Sequence, residues 1–219
     1  MIITIDGPAG VGKSTLAKKI SKNLGFIFIN SGAIYRSLAY YVLKHNIIGQ
    51  EIEKHLGKIQ LKIEGNFEKI YLNGTDITRE IYHPEISKIA SLIAKNSKVR
   101  DFVNNFIRNF AIGKNVVIEG RDTGSVVFPN ADIKFYLDAS VEERAKRRYK
   151  DLILKGIKVN FEKLKEEIEK RDLEDKTRKI APLTIPKDAI YIDTSYLSFE
   201  EVYEKVIKVV KNKLCGNEK

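Results

Sequence analysis

Ile2-Ile3-Thr4-Ile5-Asp6 runs without a break into Gly7-Pro8-Ala9-Gly10-Val11-Gly12-Lys13-Ser14-Thr15, and from there into Leu16-Ala17-Lys18-Lys19-Ile20. The opening residues are β-branched and apolar, the composition of a strand buried on both faces. The closing residues have the apolar spacing of an amphipathic helix. The loop between them fits G-x-x-x-x-G-K-[ST], and it has the strand before and helix after that the motif requires. Glycine lets backbone N–H groups turn inward around an anion, and the helix that begins near Lys13 points its positive end at the same place. Lys13 can then bridge the β- and γ-phosphates of a nucleoside triphosphate, while the Ser14 hydroxyl can ligate Mg²⁺.

Four more short apolar runs have the same character: Phe26–Asn30, Asn115–Glu119, Ile133–Asp138 and Ala189–Asp193. Helical patterns separate them, so the five runs predict a parallel sheet covered by helices on both faces. Ser140–Glu143 and Ser198–Glu201 read as capping boxes, and Gly156 reads as a helix stop. One segment breaks the alternation. Leu61–Glu64, Lys69–Leu72 and Thr75–Thr78, joined by tight turns, predict a small antiparallel insertion at about residues 50–80.

The chain has 219 residues, enough for one α/β domain with an insertion and a lid. No apolar run approaches the roughly 18 residues of a membrane span. The N-terminus lacks the pattern of a signal peptide, and the lone Cys215 has no partner for an internal disulfide, so a cytoplasmic protein is expected. One Met, no Trp and abundant Ile, Lys and Glu are the marks of a thermophile or of an AT-rich genome. An excess of 39 Lys and Arg over 29 Asp and Glu gives a formal charge of +10. That charge suits an anionic ligand or a nucleic acid, and the motifs have to decide between them.

They favour a small-molecule kinase. The chain has no N-K-x-D guanine motif and is short for a motor ATPase. Its arginines stand at strand ends and on helix faces, where a phosphate can be held by several donors at once. Asn30-Ser31-Gly32-Ala33-Ile34-Tyr35-Arg36 leaves the second strand at the ligand edge of the sheet, so Arg36 can reach an acceptor phosphate. Glu119-Gly120-Arg121-Asp122 leaves the third. Glu119 or Asp122 can hold Mg²⁺ through water, and Arg121 can bind phosphate. Phe161, Leu164 and Ile168 form an apolar stripe that continues into Arg171, Asp175 and Arg178, a face that leaves the core and enters a polar cleft. Arg144, Arg147 and Arg148 lie on the preceding helix. With Gly156 as a hinge, residues 145–180 read as a lid that closes over the triphosphate.

These segments resemble the bacterial cytidylate kinases. Gly7–Thr15, Ser31–Arg36, Glu119–Asp122 with Gly124–Pro129, Asn160-Phe161, and Arg171-Asp172 with Asp175 and Arg178 carry the likeness, in order, from Ile3 to about Lys208. The resemblance implies a P-loop kinase fold with a five-stranded parallel sheet, a β-rich acceptor-binding region and a helical lid. It implies ATP as donor with Mg²⁺, and CMP or dCMP as acceptor. It places Ser31 and Arg36 near the acceptor nucleotide, Ser91, Arg100 and Asp122 around the cytosine, and Arg171 and Asp175 at the sugar. Arg121 and Arg178 would serve the phosphates, Lys13, Arg121, Arg171 and Arg178 would carry the catalytic charge, and Arg148 would serve ATP. Glu119 stands where the family usually has Asp, and Asn30 replaces a common Asp. A monomer is expected, with neither nucleic acid nor membrane as partner. Two alternatives stay open: another monophosphate kinase, with UMP or a similar acceptor, and a P-loop protein that binds nucleic acid.

Overall fold

The computed structural model describes residues 1–47, 49–154, 156 and 158–216. β1 (Ile2–Asp6) leads through the glycine loop into α1 (Lys13–Leu24), then β2 (Ile27–Asn30) and α2 (Ser31–Lys44). A 3₁₀ stretch, Gly49–Lys58, precedes β3 (Leu61–Glu64), β4 (Lys69–Leu72) and β5 (Thr75–Asp76). Next come α3 (Pro84–Ile93), α4 (Ser97–Ala111) and β6 (Val116–Gly120). β7 (Ile133–Asp138), α5 (Val141–Leu154), α6 (Phe161–Thr177), β8 (Ile190–Asp193) and α7 (Phe199–Gly216) follow.

The five apolar runs form one parallel sheet in the order β2-β6-β1-β7-β8. Expected and observed strand ends agree for β1 and β7. Phe26, Asn115 and Ala189 fall just outside their strands, and β6 extends to Gly120. The strand interiors are apolar because both faces are covered: Ile3, Ile5, Val116, Val117, Ile118 and Leu137 are fully buried. The register sets Ile5 beside Glu119 and Glu119 beside Asn30, so the carboxyl ends of three strands finish in one row. That row is where ligands of open α/β sheets bind.

Local chemistry explains the helix starts. Asn30 caps α2 by accepting from the Ala33 N–H at 2.8 Å, and Asn160 caps α6 by accepting from the Lys163 N–H at 3.0 Å. Asn30 therefore has a structural use that needs no charge. Ser198 and Glu201 form a reciprocal box. Ser140 makes half of one: its Oγ accepts from the Glu143 N–H, but its own N–H donates to Ser195 Oγ instead.

The insertion departs from expectation in its first part. β3, β4 and β5 make the antiparallel sheet, and Asn73-Gly74, both at positive φ, make the tight turn. Residues 49–58 are instead 3₁₀. Apart from the main core, α5 and α6 share a small core of their own, made by Ala145, Leu152, Leu164 and Ile168. The apolar stripe of α6 thus packs on α5. The Gly156 N–H bonds the Ile153 carbonyl at φ +75°, which closes the α5 end as the sequence suggests. Among the described residues, no helix is long and apolar enough to cross a membrane.

Candidate active site

The glycine loop occupies the carboxyl end of β1, at the centre of the sheet. Gly7 has φ +144°, and a Cβ there would sit 2.0 Å from the Leu137 carbonyl oxygen, so only glycine fits. Gly12 precedes α1 at φ +92°, with open space around it. Gly10, Gly12, Ser14 and Thr15 are exposed on the crest of the loop, while Pro8, Val11 and Lys13 are buried beneath it. The Lys13 ammonium donates to the Pro8 carbonyl at 2.6 Å. Burial, and then repulsion from Arg121, lowers Lys13 to about 7. Glu119 and Asp6 pull the other way without outweighing the burial. Ser14 Oγ donates to Glu119 Oε1 at 2.8 Å, so two hard oxygen ligands stand together at the rim of the loop.

Beside this loop the chain leaving β6 builds a closed web of charge. Asp122 accepts from Arg100 through one oxygen and from Arg178 Nη2, at 3.2 Å, through the other. Arg178 Nη1 also lies 3.7 Å from Asp175 Oδ1, and Arg121 Nε donates to Asp175 Oδ2 at 2.8 Å. Residues from α4, the post-β6 turn and the end of α6 are joined in this way, and every side chain is largely buried. Burial alone would raise the Asp175 carboxyl, but Arg121, Arg171 and Arg178 outweigh it and hold it below the usual carboxylate range. Asp122 is therefore occupied twice over, which leaves Glu119 as the better placed of the two acids for a cation.

Three polar atoms at this edge are buried without a partner: Tyr35 OH, Arg36 Nε and Arg171 Nε. Each costs about 1–3 kcal/mol unless something fills it. The Arg36 guanidinium lies 4.9 Å over the Tyr82 ring. Arg171 is pushed down to about 10 by burial, and then by crowding from Arg121 and Arg36. Burial raises the Tyr35 hydroxyl to about 12. Two guanidiniums and a hydroxyl with donors left open suit a phosphate.

The structure sorts the remaining sequence expectations. Ser31 is buried, and its Oγ donates to the Glu119 carbonyl at 2.8 Å, tying α2 to β6. Ser91 sits on α3 and donates to the Ser87 carbonyl. Asp175 pairs with Arg121 and Arg178; Arg171 makes no bond to it. Of the arginines on α5, Arg148 is exposed, and Arg147 donates to Thr194 and Glu143. Arg144 is buried, bonds the Ala139 and Ala9 carbonyls, and pairs with Asp172 at 2.5 Å. It is a strut beneath the glycine loop rather than a lid arginine. Sequence reasoning quoted Tyr35 and Asp172 without giving them a role, and grouped Arg144 with the other arginines of the lid helix. Tyr35 could have been singled out from its place between Ile34 and Arg36.

A family model described as cytidylate kinase matches residues 3–212. The chain belongs to the cytidylate kinase family. A cytidylate kinase of Caldanaerobacter subterraneus subsp. tengcongensis is 46% identical over 217 residues, covering 98% of this chain and 96% of that one. A cytidylate kinase of Thermosipho melanesiensis is 46% identical over 213 residues, covering 96% and 97%. The fold is shared more widely. A gluconokinase structure from Sinorhizobium meliloti superposes with a TM-score of 0.50 at 14% identity, over 99% of this chain and 97% of that one. As a member of the cytidylate kinase family the chain is an ATP-dependent nucleoside monophosphate kinase with a P-loop fold.

Proposed function

We propose that this chain transfers the γ-phosphoryl group of ATP to CMP or dCMP, giving ADP and CDP or dCDP. The observation that carries the reading is the meeting at one sheet edge of a glycine loop whose buried lysine is bonded to a backbone carbonyl and not to a carboxylate, and an arginine cluster in which Arg36 and Arg171 each keep an unpartnered Nε. Membership of the cytidylate kinase family supports the choice of acceptor.

In this reading Gly7–Thr15 wrap the ATP phosphates with backbone N–H groups, and Lys13 regains its proton against the β- and γ-oxygens. Arg148 reaches the donor from its exposed place on α5. Ser31, Arg36, Ser91, Arg100 and Asp122 surround CMP, and Arg171 and Asp175 meet its sugar. An oxygen of the CMP phosphate attacks the γ-phosphorus in line as the bond to the β,γ-bridging oxygen breaks, and that oxygen leaves on ADP. Lys13, Arg121, Arg171 and Arg178 take up the charge that develops. No general base is required, because a phosphate monoester has its second pKa near ~6.

Ser14 and Glu119 fit Mg²⁺. Both present oxygen, and they already touch each other. Among the described residues no three His, Cys, Asp or Glu side chains gather for a metal. Mg²⁺ taking one or two protein oxygens with phosphates and water suits such a site. When bound, it supplies positive charge against the phosphate oxygens. The same reading has a cytoplasmic monomer with neither nucleic acid nor membrane as partner, and sedimentation checks the first of these.

An ADP-release assay with CMP, dCMP, UMP and AMP tests the function. CMP and dCMP should turn over at least tenfold faster than the others. Equal rates with UMP or AMP, or no transfer to CMP, would contradict it.

A further inference from the structure

Asp6 is a buried carboxylate that the reaction above does not use. It ends β1, it is only 1% exposed, and the next residue is Gly7, the root of the glycine loop. Its Oδ1 accepts from the Thr123 N–H at 2.9 Å and from Thr123 Oγ1 at 2.8 Å. Its Oδ2 accepts from the Gly124 N–H at 2.7 Å. All three donors belong to the turn after β6. Burial pushes the Asp6 carboxyl up even against these donors. A charge left in such a place is costly unless it is fully engaged.

The turn it grips bears the acceptor web. Arg121 and Asp122 directly precede Thr123, and Thr123–Val127 form a wide π-type turn whose Val126 and Val127 N–H groups return to the Asp122 carbonyl. The turn lies flush against its surroundings. A Cβ on Gly120 would meet Ser31 Oγ at 2.5 Å, and one on Gly124 would meet Thr4 Oγ1 at 2.7 Å. There is little slack, so a change in the Asp6 bonds moves the turn, and with it the carboxylate that holds Arg100 and Arg178.

We propose that Asp6 is a positioning residue for the acceptor: it fixes the Thr123-Gly124 turn to the root of the donor loop and thereby sets Arg121 and Asp122 for CMP. This rests on the functional reading above. Asn at position 6 keeps the shape but turns an NH₂ group toward N–H donors, so at least one bond is lost.

The test uses the full chain with Asp6→Asn, Thr123→Val and Thr123→Ser. Asp6→Asn should raise KM for CMP at least tenfold, leave the Kd for ATP measured without acceptor within threefold, and speed exchange of the Thr123 and Gly124 amides. Thr123→Val removes one of the three bonds and should raise KM for CMP severalfold, while Thr123→Ser keeps it and should match the parent. Loss of ATP affinity equal to the loss for CMP would overturn the proposal, as would a lowered melting temperature with both constants unchanged. If Asp6→Asn does not fold, the two Thr123 variants decide. Equal behaviour of Val and Ser there would overturn the proposal. A parent chain inert toward CMP would contradict the functional reading alone. The amide exchange, which needs no substrate, would still judge the grip of Asp6 on the turn.

Discussion

Around Asp122 the buried charges are answered within the chain: Arg100, Asp122, Arg178, Asp175 and Arg121 alternate in sign from α4 to the end of α6. In the glycine loop, one strand away, the buried Lys13 finds a backbone carbonyl. The two regions share an edge of one sheet and the same class of ligand, yet one has its frame finished before the ligand arrives and the other does not. The difference follows from cost. Several guanidiniums cannot be buried together without carboxylates between them, whereas a single lysine can lose its proton. In the proposed function the acceptor side is therefore preorganised, with Tyr35, Arg36 and Arg171 left open as contact points, and the donor side is completed by the triphosphate.

The largest expected effect breaks the closed frame. Asp122→Ala strands two buried guanidiniums and should lower the unfolding free energy by about 3–5 kcal/mol, read by urea denaturation. A loss of less than about 1 kcal/mol would mean that water already serves Arg100 and Arg178. Next is the open side. Lys13→Ala should leave the fold intact, since its one described bond is to a carbonyl, and should cut kcat about 10²–10³-fold. Turnover within tenfold of the parent would remove Lys13 from the chemistry.

Asp175 sharpens the comparison because it belongs to the frame and, in the proposed function, to the sugar site. Asp175→Ala should raise KM for CMP at least tenfold with that for ATP nearly unchanged, the size expected for a charged hydrogen bond of about 1.5–3 kcal/mol. A large loss with CMP and a small one with dCMP would put the carboxylate at the 2′-hydroxyl. Equal losses would mean that its work is to order Arg121 and Arg178.

The smallest effect is a proton. Lys13 falls from 10.5 to about 7 in the free fold. Between those values the unfolded chain binds the proton and the folded one does not, so this group makes stability rise with pH across that window. ATP needs the ammonium, so binding at pH 8 should take up as much as about one proton, measured by calorimetry in buffers of different ionisation enthalpy. Lys13→Ala should take up none. Absence of uptake by the parent would mean that the amine stays charged in the free protein.

The sheet was legible because each strand is a short apolar run rich in β-branched residues, and the glycine loop because its spacing, strand and helix agree. The stripe Phe161, Leu164, Ile168 was legible through its period. Pairings set by tertiary register were not. The four-residue spacing of Arg171 and Asp175 suggests a local pair, but Asp175 turns to Arg121, which is 54 positions away. Asp6 meets donors 117 and 118 positions away, and Arg144 meets Ala9 across 135. Nothing in local spacing announces such contacts. Residues 49–58 were read into the antiparallel insertion and are 3₁₀, because the turn signals bound the three strands and not the approach to them.

A preorganised acceptor frame beside a donor side completed by ligand has a direct test in amide hydrogen exchange of one sample, free and with a bisubstrate analogue. α5 and α6 have a small core of their own, with Leu154 and Leu173 exposed, so in the proposed function the part of this pair away from the Asp122 web is the part that opens. Amides of residues 119–127 and of the frame-bound end of α6, about residues 172–178, should be protected in both states. Those of the rest of the proposed lid, from about residue 145 to about 170, should exchange fast in the free protein and slowly in the complex. Fast exchange at 119–127 until the analogue binds, or equal exchange of the α5–α6 segment in both states, would contradict the account.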